Sequence, residues 1–143
     1  MAILLPLVAA TGIMLQGWAT IYFPGDASGT GSNLACVGAA RRILGRTTLR
    51  ASDFVIATRG KRRPFACGQR VRITNQRTGL SVYAWKLDTG PWSCYRGDRR
   101  ITALKCPDTW HRRSLDDLTP AVAAAIRHNG YERVVVDAAT GGF

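Results

Sequence analysis

The sequence predicts a mainly β domain with one or two short helices. Fifteen glycines and scattered Thr, Val and Ile suit a turn-rich β protein better than a helical bundle. Residues 69–75 (QRVRITN) and 80–87 (LSVYAWKL) alternate and are separated by the turn 76–79 (QRTG), the pattern of a β-hairpin. Only residues 119–129 carry a full helix signature. Thr119 stands as N-cap, Pro120 in the first helical position, an Ala-rich body follows, and Gly130 is the stop.

The remaining elements follow in order. Residues 1–16 (MAILLPLVAATGIMLQ) are uncharged and mostly apolar. They lack the basic flank of a good signal peptide and contain Pro6. They are expected to be a separate segment: an uncleaved signal, an anchor or an assembly contact. The domain proper is expected over 17–143. Residues 17–23 (GWATIYF) read as a strand and 24–33 (PGDASGTGSN) as a loop. A short helix is expected within 34–44, ending near Gly45, and a short apolar strand at 53–58 (DFVIAT). Arg59–Arg63 (RGKRR) forms a basic loop closed by Pro64. In the hairpin, Val71 and Ile73 take one face and Arg70, Arg72 and Thr74 the other. Asp88-Thr89-Gly90-Pro91 reads as a turn, residues 93–113 as an irregular basic stretch, and 132–137 (ERVVVD) as a final strand buried on both faces.

A chain of 143 residues is one domain's worth of material. Twenty Lys and Arg face nine Asp and Glu, for a formal charge of +11, and only Lys61, Lys86 and Lys105 are lysines. An Arg-rich field of this size suits a polyanion, because the guanidinium fork matches carboxylate and phosphate. Arg59–Arg63 and Arg96–Arg100 are basic enough to contact nucleic acid, but no nucleic-acid-binding fold motif accompanies them. Composition leaves open nucleic acid, an anionic membrane, teichoic acid, lipopolysaccharide, the carboxylates of peptidoglycan or neighbouring subunits of an envelope or virion assembly.

The four cysteines, Cys36, Cys67, Cys94 and Cys106, show no CxxC spacing, and neither His111 nor His128 stands in ligand spacing with them. No metal site and no cofactor is expected. An even count in a small basic domain reads as two disulfides, for which three connectivities exist. Cys94 and Cys106 flank one insertion and are expected to pair, leaving Cys36 with Cys67. Disulfides place the protein in a periplasm, outside a cell or in a virus particle.

Several motifs occur in an order that resembles the rare lipoprotein A family and the related expansins. Gly17-Trp18-Ala19-Thr20-Ile21-Tyr22 resembles their first strand. Pro64 to Asn75, Thr78 to Val82 and Leu87-Asp88-Thr89-Gly90-Pro91-Trp92 resemble the family's Pro-Phe-Gly, basic strand, turn, second strand and Asn-Asp-Arg-Gly-Pro-Phe. Leu115-Asp116-Asp117-Leu118-Thr119 before the Ala-rich helix resembles its Ile-Asp-Leu-Ser. The resemblance implies a six-stranded double-psi β-barrel with a groove on one face.

It also implies chemistry on the cell wall, with peptidoglycan glycan strands or another anionic wall polymer as the partner. Some members are lytic transglycosylases. One acid protonates the glycosidic oxygen, the sugar's own 6-hydroxyl attacks the anomeric carbon, and a 1,6-anhydro product leaves. Asp88 matches the family's catalytic acid, and Asp117 matches the Asp at the expansin groove. Because Asp117 immediately precedes the helix cap, a capping or dipole role competes. Asp116 is expected to face solvent. Asp88 has a rival reading of its own, since a turn Asp accepts backbone N–H bonds. Trp92, Tyr22, Trp85 and Thr58 are the expected substrate contacts; Trp18 and Trp110 are either groove or core. His128 is expected as a helix-end surface residue. The lytic members carry a His where Thr58 stands, and this departure moves the chain toward the expansins, which loosen walls without clear hydrolysis.

Overall fold

The computed structural model describes residues 14–21, 33–58, 61–62, 64–90, 93–96, 99–102 and 114–139. The strands are β1 (Met14–Ile21), β2 (Val55–Thr58), β3 (Arg70–Asn75), β4 (Ser81–Thr89), β5 (Ser93–Arg96), β6 (Arg99–Thr102), β7 (Ser114–Leu118) and β8 (Tyr131–Ala138). The helices are α1 (Val37–Leu44) and α2 (Pro120–Ala125).

Six strands close a double-psi barrel in the order β1-β7-β2-β4-β3-β8, and β5 and β6 form a separate hairpin. Two neighbouring pairs, β1/β7 and β2/β4, are parallel; the other pairs in the barrel are antiparallel. Exchanging the triplets β1-β2-β3 and β4-β7-β8 maps both the strand order and the sense of every pair onto itself. The barrel is thus two interlocked halves of like topology, although the sequence shows no repeat.

The alternation in β3 places Val71 and Ile73 inside, as the pattern requires. They join Ala19, Ile56, Phe65, Ala84, Leu118, Val122, Ile126, Val134 and Val136 in the barrel core. A second core lies outside the barrel wall, where α1 packs Ala39 and Ala40 with Leu34, Leu49, Val55, Ala57 and Leu87. A disulfide joins Cys36, at the N-cap position of α1, to Cys67, with Cα atoms 5.5 Å apart. Gly45 ends α1 in the left-handed region, φ 73°, its N–H on the Arg41 carbonyl; glycine adopts this conformation without steric cost.

Several expectations need correction. β1 starts at Met14, so residues 14–16 belong to the barrel, paired with Asp137, Val136 and Val135. Asp88 and Thr89 continue β4 instead of turning, because β2 offers them parallel partners in Ala57 and Thr58. Residues 114–118 are a strand rather than a helix approach. The stretch 93–113 contains the β5/β6 hairpin. Thr119 sits at the N-cap of α2 without capping it: its hydroxyl donates to the Asp53 carbonyl at 2.6 Å. α2 stops at Ala125, and Arg127 takes a left-handed φ of 52°. In β8, Val134 and Val136 face the core while Val135 lies half-buried on the outer face; one barrel wall has one inside. Cys106, Trp92, Tyr22, Trp110, His111, Arg59 and Arg63 lie outside the described residues, as does the expected Cys94–Cys106 bond. Among the described residues no helix is long and apolar enough to cross a membrane.

Candidate functional site

Strand register assembles the site. Tyr131 of β8 pairs with Thr20 of β1, Thr20 with Asp117 of β7, Asp117 with Ala57 of β2, and Ala57 with Asp88 of β4. These five residues form one row across five strands. Cross-strand partners share a face. Ala57 packs in the outer core under α1, so the row runs along the outside of the wall. With neighbouring strands ~5 Å apart, the Asp117 and Asp88 backbones stand roughly 10 Å apart, either side of Ala57.

The two carboxylates are held differently. Asp117 accepts a short hydrogen bond from the Thr20 hydroxyl. Asp88 accepts two backbone N–H groups at Oδ1, from Ala35 and from Thr89, each at 3.0 Å. The Ala35 contact sets Asp88 against the chain that leads into α1. Each aspartate is 9% exposed, at the margin between wall and solvent. At the far end of the row Trp18 stacks on Tyr131, ring centroids 4.5 Å apart and planes 13° off parallel.

The next row faces inward: Ala19, Asp116, Thr58 and Thr89. Asp116 is therefore not the solvent-facing neighbour of Asp117. It is 1% exposed, and both of its oxygens lack a hydrogen-bond partner among the described residues. Alternation explains the split, since neighbours in a strand point to opposite faces. Burial, with some repulsion from Asp117, pushes the Asp116 carboxyl up to about 7, and Lys86 pulls the other way.

Lys86 is fully buried on the same inner face. Its ammonium donates to the Thr58 carbonyl at 2.6 Å and the Thr58 hydroxyl at 2.8 Å. Burial draws it down to about 8, against the opposing pull of Asp88 and Asp116. Behind the outer row stands a buried polar plug of one amine, one hydroxyl and one carboxyl.

Of the residues expected at the site, Asp88 and Asp117 share a row. Thr58 belongs to the inner plug and bonds Lys86. Trp85 is half-buried, packed on the outer core beneath the Arg70 guanidinium. Tyr22 and Trp92 lie outside the described residues. His128 is buried rather than superficial, its Nδ1 accepting the Gly130 N–H; burial, the largest effect, lowers its pKa. Thr20, Tyr131, Lys86 and Asp116 were not expected at the site. Lys86 did leave a signal, a cation flanked by Trp85 and Leu87 in an otherwise apolar stretch of β4, whereas Asp116 stood beside Asp117 and left none. Tyr131 left none, because its place depends on the β1/β8 register.

Fold and site together define a double-psi barrel with an acidic, aromatic-flanked row on its outer wall. No protein-family model matches the chain, and no curated protein sequence matches it. Among solved structures it is similar to the Streptomyces papain inhibitor, with 18% identity, 87% of this chain and 93% of that chain covered, and a TM-score of 0.48.

Proposed function

We propose that the barrel binds a glycan strand of the bacterial cell wall along the outer row, as a rare lipoprotein A-like or expansin-like wall-binding protein. The row itself carries this reading: Tyr131, Thr20, Asp117, Ala57 and Asp88 stand side by side, with Trp18 stacked on Tyr131. An aromatic pair offers apolar ring surface to the C–H face of a pyranose. Two fixed carboxylates accept sugar hydroxyls, and such sparse, placed polar groups orient a ligand. The backbone anchors on Asp88 favour an acceptor, since Oδ1 is already committed to two N–H groups.

The second reading is lytic cleavage with Asp88 as general acid and then base. The register favours it, because Asp88 and Asp117, the two aspartates that match the family's acids, stand in one row either side of Ala57. Proton transfer from Asp88 to the glycosidic oxygen would have to come from Oδ2, with the same group later taking the 6-hydroxyl proton.

One experiment separates these. The purified protein is mixed with peptidoglycan glycan strands stripped of stem peptides; co-sedimentation is measured, and soluble products are analysed by mass. The binding reading expects retention without 1,6-anhydro products. It also expects about tenfold weaker binding in Tyr131→Ala or Asp117→Ala, equal to about 1.4 kcal/mol. Anhydro products that vanish in Asp88→Asn would establish the second reading. Folded protein that neither sediments with the strands nor cuts them overturns both.

A further inference from the structure

Charge is segregated along this chain. Residues 27–87 carry twelve Lys and Arg and a single acid, Asp53, and Asp53 is already bound to Arg46. The fold gathers part of this cationic stretch around the Cys36–Cys67 disulfide. Lys61 is brought there by the Cys67 N–H on its carbonyl at 2.8 Å, and both Lys61 and Arg62 are exposed. Gly68 has φ +85°, and a Cβ there would lie 2.8 Å from Arg42 Nη2 and 3.1 Å from the Ala39 Cβ. α1 therefore packs on the backbone at Gly68 through Ala39, and the Arg42 guanidinium reaches over it, two residues from Arg70.

Arg70 in turn sits over two aromatic rings, 4.7 Å from the Tyr83 centroid and 5.7 Å from that of Trp85. Ring quadrupoles attract and orient a guanidinium. Phe54, whose carbonyl accepts the Trp85 N–H, is 44% exposed beside them. The result is a basic surface whose cations are held by a covalent bridge, a close helix contact and aromatic rings. Asp117 and the Trp18–Tyr131 stack lie elsewhere, on β7, β1 and β8, while Asp88 adjoins the bridge through the Ala35 N–H.

We propose that this surface binds an anionic polysaccharide, recognised by its phosphate or carboxylate groups. Charge complementarity selects a polyanion, and guanidinium forks select oxyanions. Two observations favour a polysaccharide over single-stranded nucleic acid. Nucleic acid needs stacking platforms for its bases, but the Tyr83 and Trp85 faces here serve Arg70. The disulfide also places the protein in an oxidising compartment, where the abundant polyanions are those of the envelope. The inference does not depend on the glycan reading of the acidic row.

The test measures affinity at low and high salt for a polyglycerol-phosphate polymer, a carboxylated polysaccharide, a neutral glycan, a single-stranded DNA oligomer and anionic lipid vesicles. The expected result is salt-sensitive binding to one or both anionic polysaccharides, and the arm that wins identifies the oxyanion. Arg42→Ala/Arg70→Ala should weaken it at least about tenfold and leave neutral-glycan binding unchanged. Tyr131→Ala should do the reverse. Arg127→Ala/Arg133→Ala, which removes the same charge elsewhere, controls for bulk electrostatics. Equal loss in that control, tighter binding to DNA or vesicles, or no binding to either anionic polysaccharide overturns the proposal.

Discussion

Lys86 and Asp116 sit inside the barrel as a buried amine and a buried carboxyl, where taking charge out of water is costly unless it is compensated. The Asp116 carboxyl, raised from 3.8 to about 7, binds its proton more tightly folded than unfolded. Folding therefore takes up a proton between these values, and the stability Asp116 contributes should fall as pH rises from about 4 to 7. Lys86, lowered from 10.5 to about 8, works in the opposite sense at higher pH: burial of its charge disfavours folding at neutral pH, and that cost is relieved as pH rises from about 8 to 10.5. In Asp116→Asn the decline between pH 4 and 7 should largely disappear, read from denaturant midpoints across that range. An Asp116→Asn midpoint that changes with pH between 4 and 7 as the wild type does would show that Asp116 titrates normally. The two residues are a pair to the eye only after the barrel is known. In the sequence, Asp116 looks like a surface twin of Asp117, because nothing local reveals that the chain at 114–118 is a strand with an inside.

At the scale of elements, the β3–β4 turn is locked to the chain between α2 and β8. Asn75 is fully buried and donates from Nδ2 to the Ile126 carbonyl at 3.1 Å and to Glu132 Oε2 at 2.8 Å. Arg77 ion-pairs with Glu132 and donates to the Arg127 carbonyl, and Thr78 donates to that of Ile126. These bonds satisfy carbonyls that α2 leaves open when it stops early, which explains why the predicted helix is shortened. Burial pushes the Glu132 carboxyl up, but hydrogen bonds from Arg77, Asn75 and the Asn129 N–H outweigh it and hold the group below its ordinary 4.5. The stability this contributes is present above 4.5 and is lost as pH falls through the depressed value. Glu132→Gln should blunt acid unfolding below 4.5, measured by acid titration of near-UV circular dichroism. Asn75→Ala should cost about 1–3 kcal/mol by leaving its partners unsatisfied; a change within error in chemical denaturation would mean that the lock is not structural.

The whole molecule was legible where chemistry is local and obscure where it is relational. Alternation at Val71 and Ile73, the glycine stop at Gly45 and the ordered motifs along the chain were enough to anticipate a barrel and to single out Asp88 and Asp117. The Trp18–Tyr131 stack, the inner plug and the run of β4 through Asp88 depend on which strands meet, and one strand's pattern does not contain its neighbour's register. The same logic governs how the parts hold together. Two cores share the barrel wall, and the outer one, built on α1, is attached by few long-range links beyond its own packing. The Cys36–Cys67 bond, closing a separation of 31 residues, is one of them, and constraining an unfolded loop of that length contributes about 3–4 kcal/mol in the chain-entropy account. It also fixes the chain next to Ala35, whose N–H anchors Asp88. Reduction, or the Cys36→Ser/Cys67→Ser variant, should therefore lower stability by about that amount. The loss should be uneven. Amide exchange should quicken first in α1 and residues 33–36, while β3 and β8, paired in the opposite wall, keep their protection. Uniform loss of protection across the chain would instead mean that the outer core and the barrel unfold as one cooperative unit, and that the bridge stabilises both alike.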